Sequence, residues 1–189
     1  VFIKLLSIHK PVTFLFTRKF NKNNRNILLL LPRIQMKVSI SAELEKILGY
    51  ARDEAMRTGW YAIGVDHLML GLLRDSSGHV AESLRRCGID TAEMKKAIDE
   101  KIFNEKSIPY CDLDKIVVSG VASGTVNLAA MEALRCGRSE IDPSHLLLAI
   151  SKSGSGESPA MLQRYAEAIS KEFSDAKSIR IHTYNTYQS

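Results

Sequence analysis

The chain has 189 residues, 45% hydrophobic and 25% charged, enough for one domain with a sizeable core or two small packed lobes. Its formal net charge of +5 is an end effect: seven of the 26 Lys and Arg fall in residues 1–35, which hold no acid, so the other 19 face 21 acidic residues. A body with a net charge of −2 has no basic footprint, which excludes nucleic acid as the expected partner.

Residues 1–35 mix Lys, Arg and Asn with short apolar runs, Phe14–Phe16 and Ile27–Leu31. Neither run approaches the roughly 20 residues of a membrane span. Ile27–Leu31 is also shorter than the apolar region of a signal peptide and ends at Pro32. Met36 comes just before helical patterning begins at Ser41. Residues 1–35 therefore read as a non-domain extension, disordered or translated from upstream, with Met36 as the natural start. A basic targeting or membrane-touching segment is the alternative reading; no membrane partner is expected of the body.

From Ser41 the apolar residues follow helical spacing. Leu44, Ile47, Leu48, Ala51 and Ala55 mark a first helix, stopped by Gly59, since a glycine can take the left-handed conformation that ends a helix. Leu68, Met69, Leu72 and Leu73 mark a second. Val80, Ala81 and Leu84, followed by Gly88, mark a third, and Met94, Ala97, Ile98 and Ile102 a fourth. Phe103–Val118 contains Pro109 and no period, and reads as a linker. Ala122, Val126, Ala129 and Ala133 then predict a helix closed by Gly137. Asp142-Pro143 predicts a sharp helix start, an acidic N-cap before a first-turn proline; Gly64-Val65 holds the same place earlier with a weaker cap. Ser151–Ser158 reads as a flexible loop, Met161, Leu162, Tyr165, Ile169 and Phe173 as one or two closing helices, and residues 176–189 as a polar, frayed tail. No segment alternates well enough to predict a strand.

An internal repeat organises these elements. A shift of 78 residues lays Ala51–Leu73 on Ala129–Ser151 without a gap. Nine of the 23 pairs are identical, among them Glu54/Glu132, Arg57/Arg135, Gly59/Gly137 and His67/His145. The expected organisation is a double-repeat domain over 36–175: repeat one 41–102, linker 103–118, repeat two 119–175. Two copies are expected to pack because one alone buries too little apolar surface.

The chemistry is sparse. The sequence holds no Gly-x-x-x-x-Gly-Lys-Ser/Thr phosphate loop and no His-Glu-x-x-His. Gly154-Ser-Gly156 reads as flexible loop, and Ser123-Gly124 lacks the context of a nucleophile elbow. Cys87, Cys111 and Cys136 are odd in number and widely spaced. That argues against a disulfide framework and a zinc site, and for reduced thiols in a cytoplasmic protein. No catalytic residue, cofactor or metal is expected. His67 and His145 sit in the first turn of equivalent helices, where a side chain bonds the exposed helix start. A shared metal or catalytic pair is the alternative. Asp66 beside His67 suits the positive end of that helix, or a ligand. Trp60 is either core or an exposed binding anchor.

The string Ala55-Met-Arg-Thr-Gly59 with Ile63-Gly-Val-Asp-His-Leu-Met-Leu-Gly-Leu-Leu73 resembles the N-terminal repeat of the Clp chaperone ATPases. That family's pattern is Ala-x-x-x-Gly followed by Ile-Gly-Thr-Glu-His-Leu-Leu-Leu-Gly-Leu. Ala133–Gly137 with Ile141-Asp-Pro-Ser-His-Leu-Leu-Leu-Ala-Ile150 is similar to the variant that starts its helix with proline. The resemblance implies an all-α, pseudo-twofold bundle of about eight helices in two four-helix repeats. It also implies a non-catalytic domain that binds substrate polypeptides, adaptors or Clp subunits. The chain ends about where an ATPase module would begin, so an accessory protein is the reading, with a truncated Clp ATPase or a His-dependent enzyme as alternatives. Some family members bind phosphorylated arginine through the acid of Thr-Glu-His. Carried over, that motif gives Val65 and Asp66 in repeat one and Pro143 and Ser144 in repeat two. Asp66, Val65, Ser144 and Trp60 are the candidate contacts, with Asp66 alone offering an anion to a guanidinium.

Overall fold

The computed structural model of the protein describes residues 38–76, 78–104 and 106–172. The extension 1–35, Met36, Phe173 and the tail 176–189 lie outside them. Repeat one holds α1 (Ala42–Thr58), α2 (Val65–Arg74), α3 (His79–Arg86) and α4 (Thr91–Ile102). Repeat two holds α5 (Gly120–Arg135), α6 (Pro143–Ser151), α7 (Glu157–Leu162) and, after a short 3-10 turn, α8 over 166–172. The predicted helix ends recur at equivalent places. Ser41 and Ser119 cap α1 and α5 by accepting the N–H of Leu44 and Ala122, both at 3.1 Å. Gly59 and Gly137 follow the same helices in the left-handed conformation, φ 84° and 69°.

The central helices are α2 and α6, which pack on each other. Each is apolar around most of its girth, and such a helix has to be surrounded. Eight of the nine residues of α6, all but the terminal Ser151, are accordingly buried, and α2 from His67 to Leu73 is buried throughout. A buried carboxylate recurs beside them. Glu54 of α1 lies 2.7 Å from Arg57 and 3.8 Å from Arg74; its equivalent Glu132 lies 3.0 Å from Arg135 and 2.7 Å from Lys152. Each buried carboxylate thus links the end of the first helix of its repeat to the end of the second, while in repeat one the two arginines also reach Asp99 and Asp53.

Two features depart from the sequence expectation. Among the described residues there are four two-residue strands: β1 (Ser39–Ile40), β2 (Ala62–Ile63), β3 (Val117–Val118) and β4 (Glu140–Ile141). β1 pairs parallel with β4 and β2 with β3. Each pair thus joins the segment just before one repeat to a strand inside the other, and the bonds repeat at the same shift. Ser39 and Ser41 donate to the Ser139 and Ile141 carbonyls, as Val117 and Ser119 donate to those of Tyr61 and Ile63. Strands this short carry no period, and their partners lie in the other repeat, so no local pattern announces them. The second departure is Phe103–Val118, which is a structured crossing. Asn104 and Ile108 donate to the Thr58 and Met56 carbonyls at the end of α1, Tyr110–Lys115 forms a 3-10 turn, and Ile108 and Ile116 are buried.

Candidate functional site

The two repeat histidines do the same local job. The Nδ1 of His67 accepts the Gly64 N–H at 2.9 Å, and the Nδ1 of His145 accepts the Asp142 N–H at 3.1 Å. Both stand at the third helical position and reach back to the N-cap residue, the half of a capping box usually given to Glu or Gln. Because Nδ1 of His67 is an acceptor, its proton sits on Nε2, which lies 3.0 Å from the Thr58 hydroxyl. Thr58 in turn donates to the Glu54 carbonyl at 2.8 Å. Burial pushes the His67 imidazolium down to about 4; the charge of Asp66 works against that shift and Arg57 adds to it. His67 is therefore neutral at physiological pH, and both its nitrogens are engaged. In repeat two, Asp142 completes the box by accepting the N–H groups of Ser144 and His145. Burial opposes its charge, but hydrogen bonds from His145 and Ser144 outweigh burial and hold the carboxyl well below the usual range. Among the described residues no group of three or more His, Cys, Asp or Glu is placed to hold a metal ion.

Asp66 points away from its own helix start. Its carboxylate accepts the Glu157 N–H at 3.1 Å, the Ser158 N–H at 2.7 Å and the Ser158 hydroxyl at 2.6 Å. It is the cap of α7, in the other repeat, and Ser158 is fully buried beneath it. The predicted loop therefore ends at Gly156, before Ser158. Ser144, the equivalent residue, also reaches across: its hydroxyl lies 2.6 Å from Nε2 of His79, the first residue of α3. Asp66→Ala should cost about 1–2 kcal/mol, the loss expected for a helix cap, while Ser144→Ala, tied to an exposed histidine, should cost less. Urea unfolding of the two variants checks the order; equal losses would contradict the cap.

The four residues picked from sequence do not form one site. Val65 is in the core, 4% exposed. Asp66 and Ser144 lie on separate, pseudo-equivalent seams between the repeats. Trp60 is 44% exposed, its indole N–H donating to the Ile102 carbonyl at 2.6 Å. Near the β1–β4 pair lies a cavity of about 320 Å³ lined by Glu43, His79, Arg138, Ser139, Glu140 and Asp142. Sequence reasoning did not single it out, because its walls come from both repeats.

Comparison with known proteins agrees with this architecture. The family model for the Clp repeat (R) N-terminal domain matches residues 39–165. The negative regulator of genetic competence ClpC/MecB of Bacillus subtilis is 27% identical over 127 residues, which is 67% of this chain and 15% of that protein. The chaperone protein ClpB of Oceanobacillus iheyensis is 28% identical over 127 residues, with the same coverage of each chain. The N-domain of ClpV from Vibrio cholerae has the same fold, with a TM-score of 0.60 at 16% identity over 74% of this chain and 86% of that one. The chain spans about 15% of the length of these curated relatives. With the repeat, its reciprocal strand pairs and the capping histidines in place, the chain belongs to the Clp repeat (R) N-terminal domain family.

Proposed function

We propose that this chain is a non-catalytic protein-binding module of a Clp chaperone–protease system, recognising substrate polypeptides, adaptors or Clp subunits in the cytoplasm. The observation that carries this is the family match across both repeats, in the region shared with relatives named as chaperones. The engagement of both repeat histidines in helix caps supports it against a His-dependent enzyme. The test is capture of the tagged chain from its native cell, followed by identification of the proteins held. Clp ATPase or protease subunits should be enriched over a mock capture. Their absence under crosslinking would overturn the assignment to a Clp system.

Phosphorylated arginine is the finer proposal, confined to repeat one, where Asp66 supplies the anion a guanidinium requires. Three hydrogen bonds to α7 already engage that carboxylate, so binding should be weak. Calorimetry with phosphoarginine should give one site, absent in Asp66→Ala and unchanged in Ser144→Ala; two equivalent sites would refute it.

A further inference from the structure

One helix face stands open to solvent without the charges that such a face normally carries. Along α5, Val121, Gly124, Leu128 and Met131 follow one another at steps of three and four, the spacing of a helix–helix seam. Val121 is 50% exposed and Met131 40%; Ser123, Gly124 and Asn127 beside them are exposed, and Leu128 is half-buried. The stretch Gly120–Met131 holds no charged residue, in a chain that is 25% charged. Gly124 sits inside the helix, where glycine is destabilising, and a Cβ there would meet nothing within 4 Å, so packing within the chain does not require it. Repeat one supplies the comparison. At the equivalent places on α1, 78 residues earlier, stand Glu43, Lys46, Tyr50 and Asp53. Lys46 lies 3.8 Å from Asp75 and Asp53 3.3 Å from Arg74, and Lys46 and Arg74 both lie over the Tyr50 ring. The same place in the fold is thus charged and internally paired on α1, and bare on α5.

We infer that α5 pairs with α5 of a second copy of this chain, antiparallel, in a reversible dimer. The dimer goes beyond the Clp reading and does not depend on it. A two-fold contact must be self-complementary, residue i meeting j as j meets i. An axis at the level of Val126 does this: it sets Leu128 opposite Gly124 and Gly124 opposite Leu128, a knob over a hole on both sides, and Val121 opposite Met131 twice. Small groups at the crossing let the helix axes approach to about 8 Å, the near end of the usual range. No like charges meet along this seam, and Arg135, the next seam position, is already paired with Glu132 at 3.0 Å. The same operation on α1 would set Glu43 against Asp53 twice, so repeat one is built against self-pairing. The area sets the strength. Gly120–Met131 extends about 18 Å, and a helix seam of that length buries on the order of 400 Å² per partner, half of the roughly 800 Å² of a stable complex. That suits a weak dimer of identical chains, with a Kd on the order of 100 µM, and falls short of what an unrelated folded partner would need.

The test is sedimentation equilibrium of the full chain from about 10 µM to about 1 mM, a range that brackets the expected Kd. The weight-average mass should rise with concentration towards twice that of one chain. Val121→Lys with Met131→Lys lines the seam with like charges and should weaken association about tenfold or more. Both side chains are exposed, so the variant should fold, which unchanged helical circular dichroism checks. Val121→Glu with Met131→Lys reads the orientation. Antiparallel copies bring opposite charges together at both ends and keep the dimer, whereas parallel copies bring like charges together and lose it. Gly124→Gln separates the interface from the fold: it should raise the melting temperature, glutamine being the better helix former, yet weaken the dimer about tenfold by filling the hole that receives Leu128. A chain that stays monomeric at the highest concentration would overturn the inference. So would a dimer that either the two-lysine variant or Gly124→Gln leaves unchanged. Loss of association in the Glu–Lys variant as complete as in the two-lysine variant would overturn the antiparallel seam.

Discussion

Gly59→Ala should destabilise the fold by about 3 kcal/mol or more, whereas Gly137→Ala, its equivalent in repeat two, should cost about 1 kcal/mol. Both residues end a first helix at positive φ, so both substitutions place a side chain in the left-handed region, at a cost of roughly 1–2 kcal/mol. The surroundings separate them. A Cβ on Gly59 would stand 2.3 Å from the Lys106 carbonyl oxygen and 2.9 Å from Cβ of Asn104, while one on Gly137 meets nothing within 4 Å. The crossing segment lies directly on Gly59, held by the Asn104 and Ile108 N–H groups at 2.9 Å from the Thr58 and Met56 carbonyls. To admit a methyl group it must lift, losing hydrogen bonds worth about 1 kcal/mol each and exposing Ile108, which is 5% accessible. Urea unfolding of the two variants under identical conditions measures the gap. Equal losses would mean the crossing segment gives way freely.

Acid should lower the protein's stability in two stages, and His67 sets the first. Its folded form resists protonation down to about pH 4, whereas the unfolded chain takes the proton near the ordinary histidine value of about 6.5. Between those values the unfolded state binds more protons, so stability falls as pH falls, and below about 4 the effect saturates. A shift of this size corresponds to a loss on the order of 3 kcal/mol. Asp142 acts next, with the opposite kind of shift: its depressed carboxyl contributes stability above about pH 4 that is lost only in stronger acid. His67→Gln is the informative variant. Glutamine can still accept the Gly64 N–H, as capping boxes use it, so the helix start survives while the titrating group is gone. The variant should lose about 1 kcal/mol near neutral pH through the broken Thr58 link. Its stability should then change much less than the parent's between pH 6.5 and 4. A parallel decline in parent and variant would assign the first stage to other groups.

Much of this molecule could be read one residue after another. The helix faces are legible because burial imposes a 3.6-residue period, and the ends at Gly59, Gly137 and Asp142-Pro143 because caps are local chemistry. The histidines, standing in the first turn of each repeat's second helix, bond helix starts in their own repeat, within three residues. The repeat followed from identities at one fixed shift, and the all-α double bundle was what the resemblance to the Clp N-terminal repeat implied.

Partners across the chain were another matter. Asp66 sits where it could serve its own helix, yet its carboxylate caps α7, about 90 residues on. Glu54 and Glu132 match in sequence, but only the packing of α1 on α2 and of α5 on α6 brings each to a second cation. Val65 enters the core and Trp60 stays at the surface, a choice that depends on which neighbour covers each side chain. The exchanged strand pairs arise where the repeats meet. Sequence determined the elements and their duplication, because propensity, capping and amphipathic period act over one or two helical turns. Tertiary structure decided which groups face one another across separations from 20 to 100 residues, because such contacts depend on the relative placement of elements and leave no local period to read.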